Sequence, residues 1–294
     1  MSIRTIGLFG NADKHDIAAA VKFIRDHCAR LGLTVKLTRR MARIIGDAAG
    51  GMPSSEMVRQ VDVVVALGGD GTMLQAARAI DRTLTPLLGI NLGSLGYLTD
   101  VPFTEVGPAL DQLVAGNYHL EERDRIASTA WRGQHQLAAF AALNDIVLNM
   151  GPLPRALVME IQLDGESLGQ FLGDGLILSS STGSTAYNLS AGGPICHAGV
   201  RGLLITPICP HSLGIRPLIV PYGTRIELLL HDAGEGAQLT ADGQESRKLA
   251  SGDVVEFAVA DCGVRLIKFP QSNFYRVMRH KLNWGGPTRR ENGS

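Results

Sequence analysis

The apolar run Val61-Asp62-Val63-Val64-Val65-Ala66-Leu67 stops abruptly at Gly68-Gly69-Asp70-Gly71-Thr72. Both alternating faces of the run are apolar, which predicts a parallel strand covered on its two sides. Beyond the glycines, Met73, Ala77 and Ile80 recur at helical spacing with Leu74 beside them. The stretch therefore predicts a strand, a tight turn and a helix start. Similar alternation surrounds it. Ile3–Phe9 predicts a first strand. Asp16–Leu31 predicts a helix, with Ile17, Ala20, Val21, Ile24, Cys28 and Leu31 on one face and Gly32 as its stop. Thr34–Leu37 and Pro86–Asn91 predict further strands, and Val106–Ala115 a further helix. Residues 41–56 are rich in Ala and Gly and give no clear periodicity. This β/α alternation predicts an open parallel sheet covered by helices, with ligands at the carboxyl ends of its strands. Gly68–Thr72 and Asn91–Gly96 are two such ends and are expected to face each other.

The texture changes near Glu121-Glu122-Arg123. Helical periodicity fades, and short strands separated by turns follow: Ile126–Trp131, Gln136–Leu143, Ile146–Asn149, Leu157–Leu163, Leu176–Ser179, Arg225–Leu230, Leu239–Ala241, Val254–Val259 and Val264–Phe269. Asp164-Gly165 and Asp242-Gly243 are turn signals. The predicted organisation is an α/β domain over 1–121, a mainly β domain over 122–270, and a C-terminal segment over 271–294. In that last segment Phe274–Trp284 is expected to form a helix packing back on the first domain, and Gly285–Ser294 a loose tail.

Composition narrows the function classes. The 294 residues carry 28 basic and 28 acidic side chains, so no net charge draws the chain to nucleic acid or acidic membrane. The four cysteines, Cys28, Cys196, Cys209 and Cys262, form no C-x-x-C pair, which favours reduced thiols over zinc. The N-terminus reads as a strand rather than a signal peptide, and no apolar run reaches membrane-spanning length. A cytoplasmic protein is expected.

Candidate chemistry sits in the loops. Main-chain N–H groups of the Gly68–Thr72 turn and the positive helix end can face an anion. Asp70 has two open readings there: a helix cap with Thr72, or a group that holds a metal ion or takes a proton from an attacking hydroxyl. Asn144-Asp145, at a strand end, is either an Asx turn or a pair that binds vicinal hydroxyls or an amine. Gly173-Asp174-Gly175 leads through an apolar strand into Ser179-Ser180-Ser181-Thr182-Gly183-Ser184-Thr185-Ala186-Tyr187-Asn188-Leu189-Ser190, a hydroxyl-rich stretch that reads as a ligand loop. No G-x-S-x-G elbow marks its serines as nucleophiles. His211 reads as structural, Arg216 as a partner for a phosphate or a carboxylate, and Asp242-Gly243-Gln244 as a β-turn. A P-loop lysine motif and a dinucleotide G-x-G-x-x-G are both absent. These residues together predict a protein that binds a phosphorylated small molecule.

Gly68-Gly69-Asp70-Gly71-Thr72, Asn91-Leu92-Gly93-Ser94-Leu95-Gly96-Tyr97-Leu98, Asn144-Asp145, Asp174-Gly175, Thr182-Gly183-Ser184-Thr185-Ala186-Tyr187 through Gly192-Gly193-Pro194, and Pro210-His211-Ser212-Leu213 occur in the order and approximate spacing of the NAD kinases, which the chain resembles from Ile3 to Trp284. The resemblance implies phosphoryl transfer from ATP to the 2′-hydroxyl of the adenosine ribose of NAD. It implies Asp70 as general base and Gly68, Gly69, Gly71 and Thr72 as the phosphate loop. Dinucleotide contacts are implied for Asp70, Gly71, Asn144, Asp145, Arg155, Asp174, Thr182, Thr185, Ala186, Tyr187, Asn188, Leu189, Ser190 and Gln244. It also implies Mg2+ or another divalent cation bridging ATP phosphates, with no protein ligand set for it, and a homodimer or homotetramer.

Overall fold

A computed structural model describes residues 3–14, 16–93, 96–99, 101–151, 155–234 and 236–283. The chain divides into two compact units, residues 1–121 with 265–294, and residues 122–264.

In the first unit the chain runs β1 (Thr5–Gly10), α1 (Ile17–Arg30), β2 (Thr34–Thr38), α2 (Arg39–Ile44), β3 (Gly51–Met52), α3 (Ser54–Met57), β4 (Val63–Gly68), α4 (Asp70–Ile80), β5 (Leu87–Asn91), β6 (Val101–Pro102), α5 (Val106–Val114) and β7 (His119–Arg123). All six residues of β4 are buried, as its two-sided apolarity predicts. The pairings β3–β2, β2–β1, β1–β4, β4–β5 and β5–β6 are parallel. Strand faces are sorted by size. Ile6, Leu8, Leu88 and Ile90 share a core with Ile17, Val21 and Ile24 of α1 and Ala109, Leu110 and Leu113 of α5. Between them in sequence, Gly7 and Gly89 leave room for Met57 of α3 and Met73 of α4 on the other face. Helices thus cover both faces, and the β4 and β5 carboxyl ends lie at one edge of the parallel sheet.

The second unit contains β8 (Ile126–Arg132), β9 (His135–Ala142), β10 (Asp145–Asn149), β11 (Leu157–Leu163), β12 (Glu166–Gly173), β13 (Gly175–Ser179), the short α6 (Tyr187–Ser190), β14 (Gly202–Ile208), β15 (Leu218–Pro221), β16 (Ile226–Asp232), β17 (Ala237–Ala241), β18 (Glu245–Leu249) and β19 (Val254–Val259). They form two six-stranded sheets, β15-β14-β13-β10-β17-β18 and β12-β11-β16-β19-β8-β9. Every pairing within them is antiparallel. Ile146, Leu148, Leu176 and Leu178 of the first sheet and Met159, Leu228, Val255 and Phe257 of the second share one core.

The chain then returns to the first unit with β20 (Val264–Lys268) and α7 (Phe274–Leu282). Here the structure departs from the sequence reading, which grouped Val264–Phe269 with the β half. Leu266 pairs in parallel with Leu87, so β20 extends the first sheet, whose order is β3-β2-β1-β4-β5-β20-β7. Its alternation alone does not say which sheet it joins. The helix foreseen for Phe274–Trp284 is present as α7, while Trp284 and the tail lie outside the described residues. β12 and β18 escape the pattern because each is exposed along most of its length and lacks a regular apolar face; only Phe171 and Gly173 of β12 and Leu249 of β18 are buried.

A methyl group added at Gly89 would lie 2.8 Å from Met73 Sδ and 3.1 Å from the Leu98 carbonyl oxygen. Gly89→Ala is therefore expected to cost about 1–3 kcal/mol through overpacking. Chemical denaturation that leaves the unfolding midpoint unmoved would contradict this packing of β5 against α4.

Candidate functional site

At the end of β4 the backbone turns sharply. Gly68 has φ +156°, and a Cβ there would lie 2.3 Å from Thr72 Oγ1. Gly69 precedes α4 in extended conformation, and no side chain caps the helix. Asp70 is thus the first helical residue, and the cap reading does not hold. Its carboxylate turns instead toward the segment following β5. Asp70 Oδ2 accepts from Tyr97 N at 3.0 Å, and Oδ1 accepts from Leu98 N at 3.0 Å and Thr99 Oγ1 at 3.4 Å. Gly96 is required by this approach, because a Cβ there would sit 2.1 Å from Asp70 Oδ1. Leu92 N donates to the Gly68 carbonyl at 3.2 Å, so the two strand-end loops face each other as their positions at the sheet edge predict. A carboxylate accepts through about four lone-pair positions. Among the described residues Oδ2 uses one of its two, which leaves the other for a donor arriving from outside.

In the second unit three loops converge at the start of β10. Asp242, in the turn after β17, accepts from Leu143 N and Asn144 N at 2.8 Å and from Asp145 N at 3.2 Å, and its own N–H donates to the Asp145 carbonyl at 2.9 Å. The left-handed backbone of Asp242, φ +50°, allows this wrap. From the other side Ser180 N donates to the Asn144 carbonyl at 2.9 Å, and a Cβ at Gly183 would meet that same oxygen at 2.0 Å. Asn144, Asp145, the 182–187 stretch and the turn carrying Gln244 are thereby brought together. Asp242 was legible in the sequence only as a turn residue.

The hydroxyls of the Ser-rich stretch are committed to the protein rather than presented outward. Ser180 Oγ donates to the Leu143 carbonyl at 2.6 Å, Ser181 Oγ to the Val200 carbonyl, and Ser184 Oγ to the Ser181 and Cys196 carbonyls at 2.7 and 3.0 Å. Thr182 is buried and accepts from Arg123 Nη1 at 3.3 Å. Asn188 is fully buried; its amide donates to the Ser184 and Pro194 carbonyls at 3.0 Å and accepts from Thr206 Oγ1 at 2.6 Å. These groups brace the loop. Thr185, Ala186 and Leu189 are partly exposed, and Tyr187 and Ser190 are exposed.

Asp174 and Arg155 are not brought to that convergence. In the β10–β13 pair, Asp145 stands opposite Ser179 and Asn149 opposite Gly175. Asp174, just before Gly175, is therefore at the far end, roughly 13 Å along the strands. Its carbonyl accepts from Met150 N at 2.9 Å, and its carboxylate accepts from the Cys209 thiol, which that bond holds above the usual thiol range. Arg155 lies beside Gly234 at the same far end, near Gly151 and Gly236. Among the described residues Arg216 donates to its neighbour's carbonyl, that of Ile215, at 3.0 Å. Among the described residues no three His, Cys, Asp or Glu side chains form a metal-holding group.

Two carboxyls meet at the convergence. Burial, and then the charge of Asp242, push Asp145 up to about 7, against one N–H bond from Tyr187. Burial likewise raises Asp242, against its three backbone N–H donors and the charge of Arg125.

Residues 53–118 match the family model described as ATP-NAD kinase N-terminal domain, and residues 143–269 the ATP-NAD kinase C-terminal domain. The chain is 40% identical over 285 residues to the NAD kinase of Syntrophotalea carbinolica, covering 96% of this chain and 99% of that one. It is 40% identical over 284 residues to the NAD kinase of Moorella thermoacetica, covering 97% and 91%. Among solved structures it resembles yeast NADH kinase complexed with NADH (TM-score 0.89, 26% identity, 98% of this chain and 90% of that one). It also resembles an NAD kinase from Archaeoglobus fulgidus in complex with ATP (TM-score 0.77, 25% identity, 95% and 98%).

A carboxyl raised in the folded state binds a proton that the unfolded chain has already lost. Its contribution is present below the unfolded value, near 4, and is lost as pH rises through about 7. The melting temperature of the wild type should therefore fall from pH 5 to 8, and Asp145→Asn should remove part of that slope. Parallel slopes in the two proteins would contradict the burial of an ionisable pair here.

Proposed function

Because the chain belongs to the NAD kinase family, we propose that Asp70 is the base that receives the proton of the acceptor hydroxyl in its reaction. The protein is a transferase that phosphorylates NAD using ATP. In our reading the acceptor is the 2′-hydroxyl of the adenosine ribose. Its oxygen bonds to the γ-phosphorus while the bond to the β,γ-bridging oxygen breaks. ADP leaves with that electron pair, and the hydroxyl proton passes to Asp70 Oδ2. An alcohol is a weak nucleophile, so a carboxylate placed to take its proton as the bond forms lowers the barrier.

The observation that carries this reading is the anchored carboxylate itself. Tyr97 N and Leu98 N hold Asp70 away from its own helix, with one acceptor position of Oδ2 left over. A group so positioned loses little freedom when substrate arrives, which is where positioning contributes to rate. Gly68, Gly69, Gly71 and Thr72 form the phosphate loop, the bare N-terminal turn of α4 favouring an anion. Asn144, Asp145, Thr185, Tyr187 and Gln244 contact the dinucleotide, with Arg155 and Asp174 engaging its more distant part. Gly71 permits close approach; Ala186, Leu189 and Ser190 line the loop; Thr182 and Asn188 act through the bracing bonds described above.

No group of acidic or histidine side chains among the described residues fits a resident metal. A divalent cation belongs instead to the substrate, entering on the phosphate oxygens of ATP and offsetting their charge. No helix among the described residues is long and apolar enough to cross a membrane. Self-association through the second unit is favoured by exposed Leu168 on the edge strand β12 and by Leu218 and Ile219 on the edge strand β15.

Asp70→Asn should lower kcat for NADP formation by about 10²–10⁴ and leave NAD binding by calorimetry within a few-fold of wild type. Retained turnover in that variant would remove Asp70 from the base role, and lost NAD binding would make it a binding group.

A further inference from the structure

A nucleoside triphosphate brings several negative charges to the Gly68–Thr72 turn, and the only charged side chain in that turn is the Asp70 carboxylate. Besides the divalent cation that arrives with the nucleotide, the turn itself offers only backbone N–H groups against this charge. The motif that usually places a lysine on such phosphates is absent. A cation must come from elsewhere on the sheet edge, and the described loops supply one.

Lys14 follows β1, whose carboxyl end lies beside that of β4: Gly10 pairs with Leu67. Asn11 N donates to the Leu67 carbonyl at 3.1 Å, and Lys14 N closes a turn onto the Asn11 carbonyl at 3.3 Å. The loop is therefore pinned one residue before Gly68. The side chain runs across toward β5. A Cβ built on Gly93 would lie 3.8 Å from Lys14 Nζ and 3.9 Å from Asn91 Oδ1. Gly93 N donates to Asn91 Oδ1 at 2.6 Å, and the adjoining Leu92 N donates to the Gly68 carbonyl. The ammonium thus stands over a bare glycine whose neighbour touches the phosphate turn. It is not consumed by its neighbours. Asp13, the neighbouring acid, is paired with Arg40 at 3.2 Å. Among the described residues the Lys14 ammonium makes no ion pair.

We propose that Lys14 is the cation that binds the polyphosphate of the phosphoryl donor at the carboxyl ends of β1, β4 and β5. It takes the electrostatic role of the missing loop lysine from a different strand. The ligand class is a di- or triphosphate, not the acceptor dinucleotide. This inference rests on the ATP-dependent reading above.

Steady-state NADP formation by full-length wild type, Lys14→Gln and Lys14→Arg tests it, with ATP and NAD varied in turn. Calorimetric titration with inorganic tripolyphosphate at 50 and 200 mM salt accompanies the kinetics. Lys14→Gln should raise the KM for ATP about tenfold, leave the KM for NAD within twofold, weaken tripolyphosphate binding by a similar factor and reduce its salt dependence; Lys14→Arg should restore most of the affinity. An unchanged KM for ATP with unchanged tripolyphosphate affinity overturns the proposal. So does an equal rise in both KM values, which a general disturbance of the site would produce. A wild type that binds tripolyphosphate through Lys14 but makes no NADP from ATP would overturn the donor reading and leave the Lys14 site standing.

Discussion

Two backbone N–H groups holding one carboxylate are the constraint on which the candidate site depends. Asp70 opens α4, where a negative charge is favoured by the helix end, yet its side chain is turned across to Tyr97 N and Leu98 N. The consequence is mutual. The segment after β5 is drawn against the glycine turn after β4, and the acid is fixed at the carboxyl edge of the sheet. Gly96 and Gly68 are the positions at which a side chain would break the arrangement, since a Cβ at either would collide with Asp70 or Thr72. Glycine abundance in these loops is therefore a requirement for close approach rather than for mobility.

The second unit solves a comparable problem with a carboxylate used as a clasp. Asp242 gathers three consecutive N–H groups, of Leu143, Asn144 and Asp145, and so sets the direction in which the Asn144-Asp145 pair leaves β10. The serines of this stretch donate to the carbonyls of Leu143, Val200, Ser181 and Cys196 and so brace the loop from within. The outer part of that loop, with Thr185 and Tyr187, is left to face solvent. Stiffness below and exposure above suit the role proposed for this loop, holding a flexible dinucleotide without itself being ordered on binding.

What the sequence revealed follows from how local each feature is. β4 and α4 are legible because a fully apolar strand, a glycine turn and an Ala-rich helix carry their patterns within about twenty residues. The gathering of the strand-end loops at Gly68–Thr72 and Asn91–Leu98 follows from sheet topology alone. The sequence groups β20 with the β half because Leu266 and Leu87 are partners only in space. Asp242 stayed hidden for the same reason, lying nearly a hundred residues from the N–H groups it holds. A serine-rich loop cannot declare which hydroxyls face a ligand. Here Ser180, Ser181 and Ser184 turn inward, and that depends on the carbonyls of Leu143, Val200 and Cys196 supplied from elsewhere.

The most direct test is a crystal structure of the full chain with NAD and a non-hydrolysable ATP analogue bound together. The account predicts the adenosine 2′-oxygen within about 2.6–3.2 Å of an Asp70 carboxylate oxygen, or joined to it through one water, with Tyr97 N and Leu98 N still holding that carboxylate. A 2′-oxygen hydrogen-bonded to a different acid, with Asp70 remote from both substrates, would contradict it.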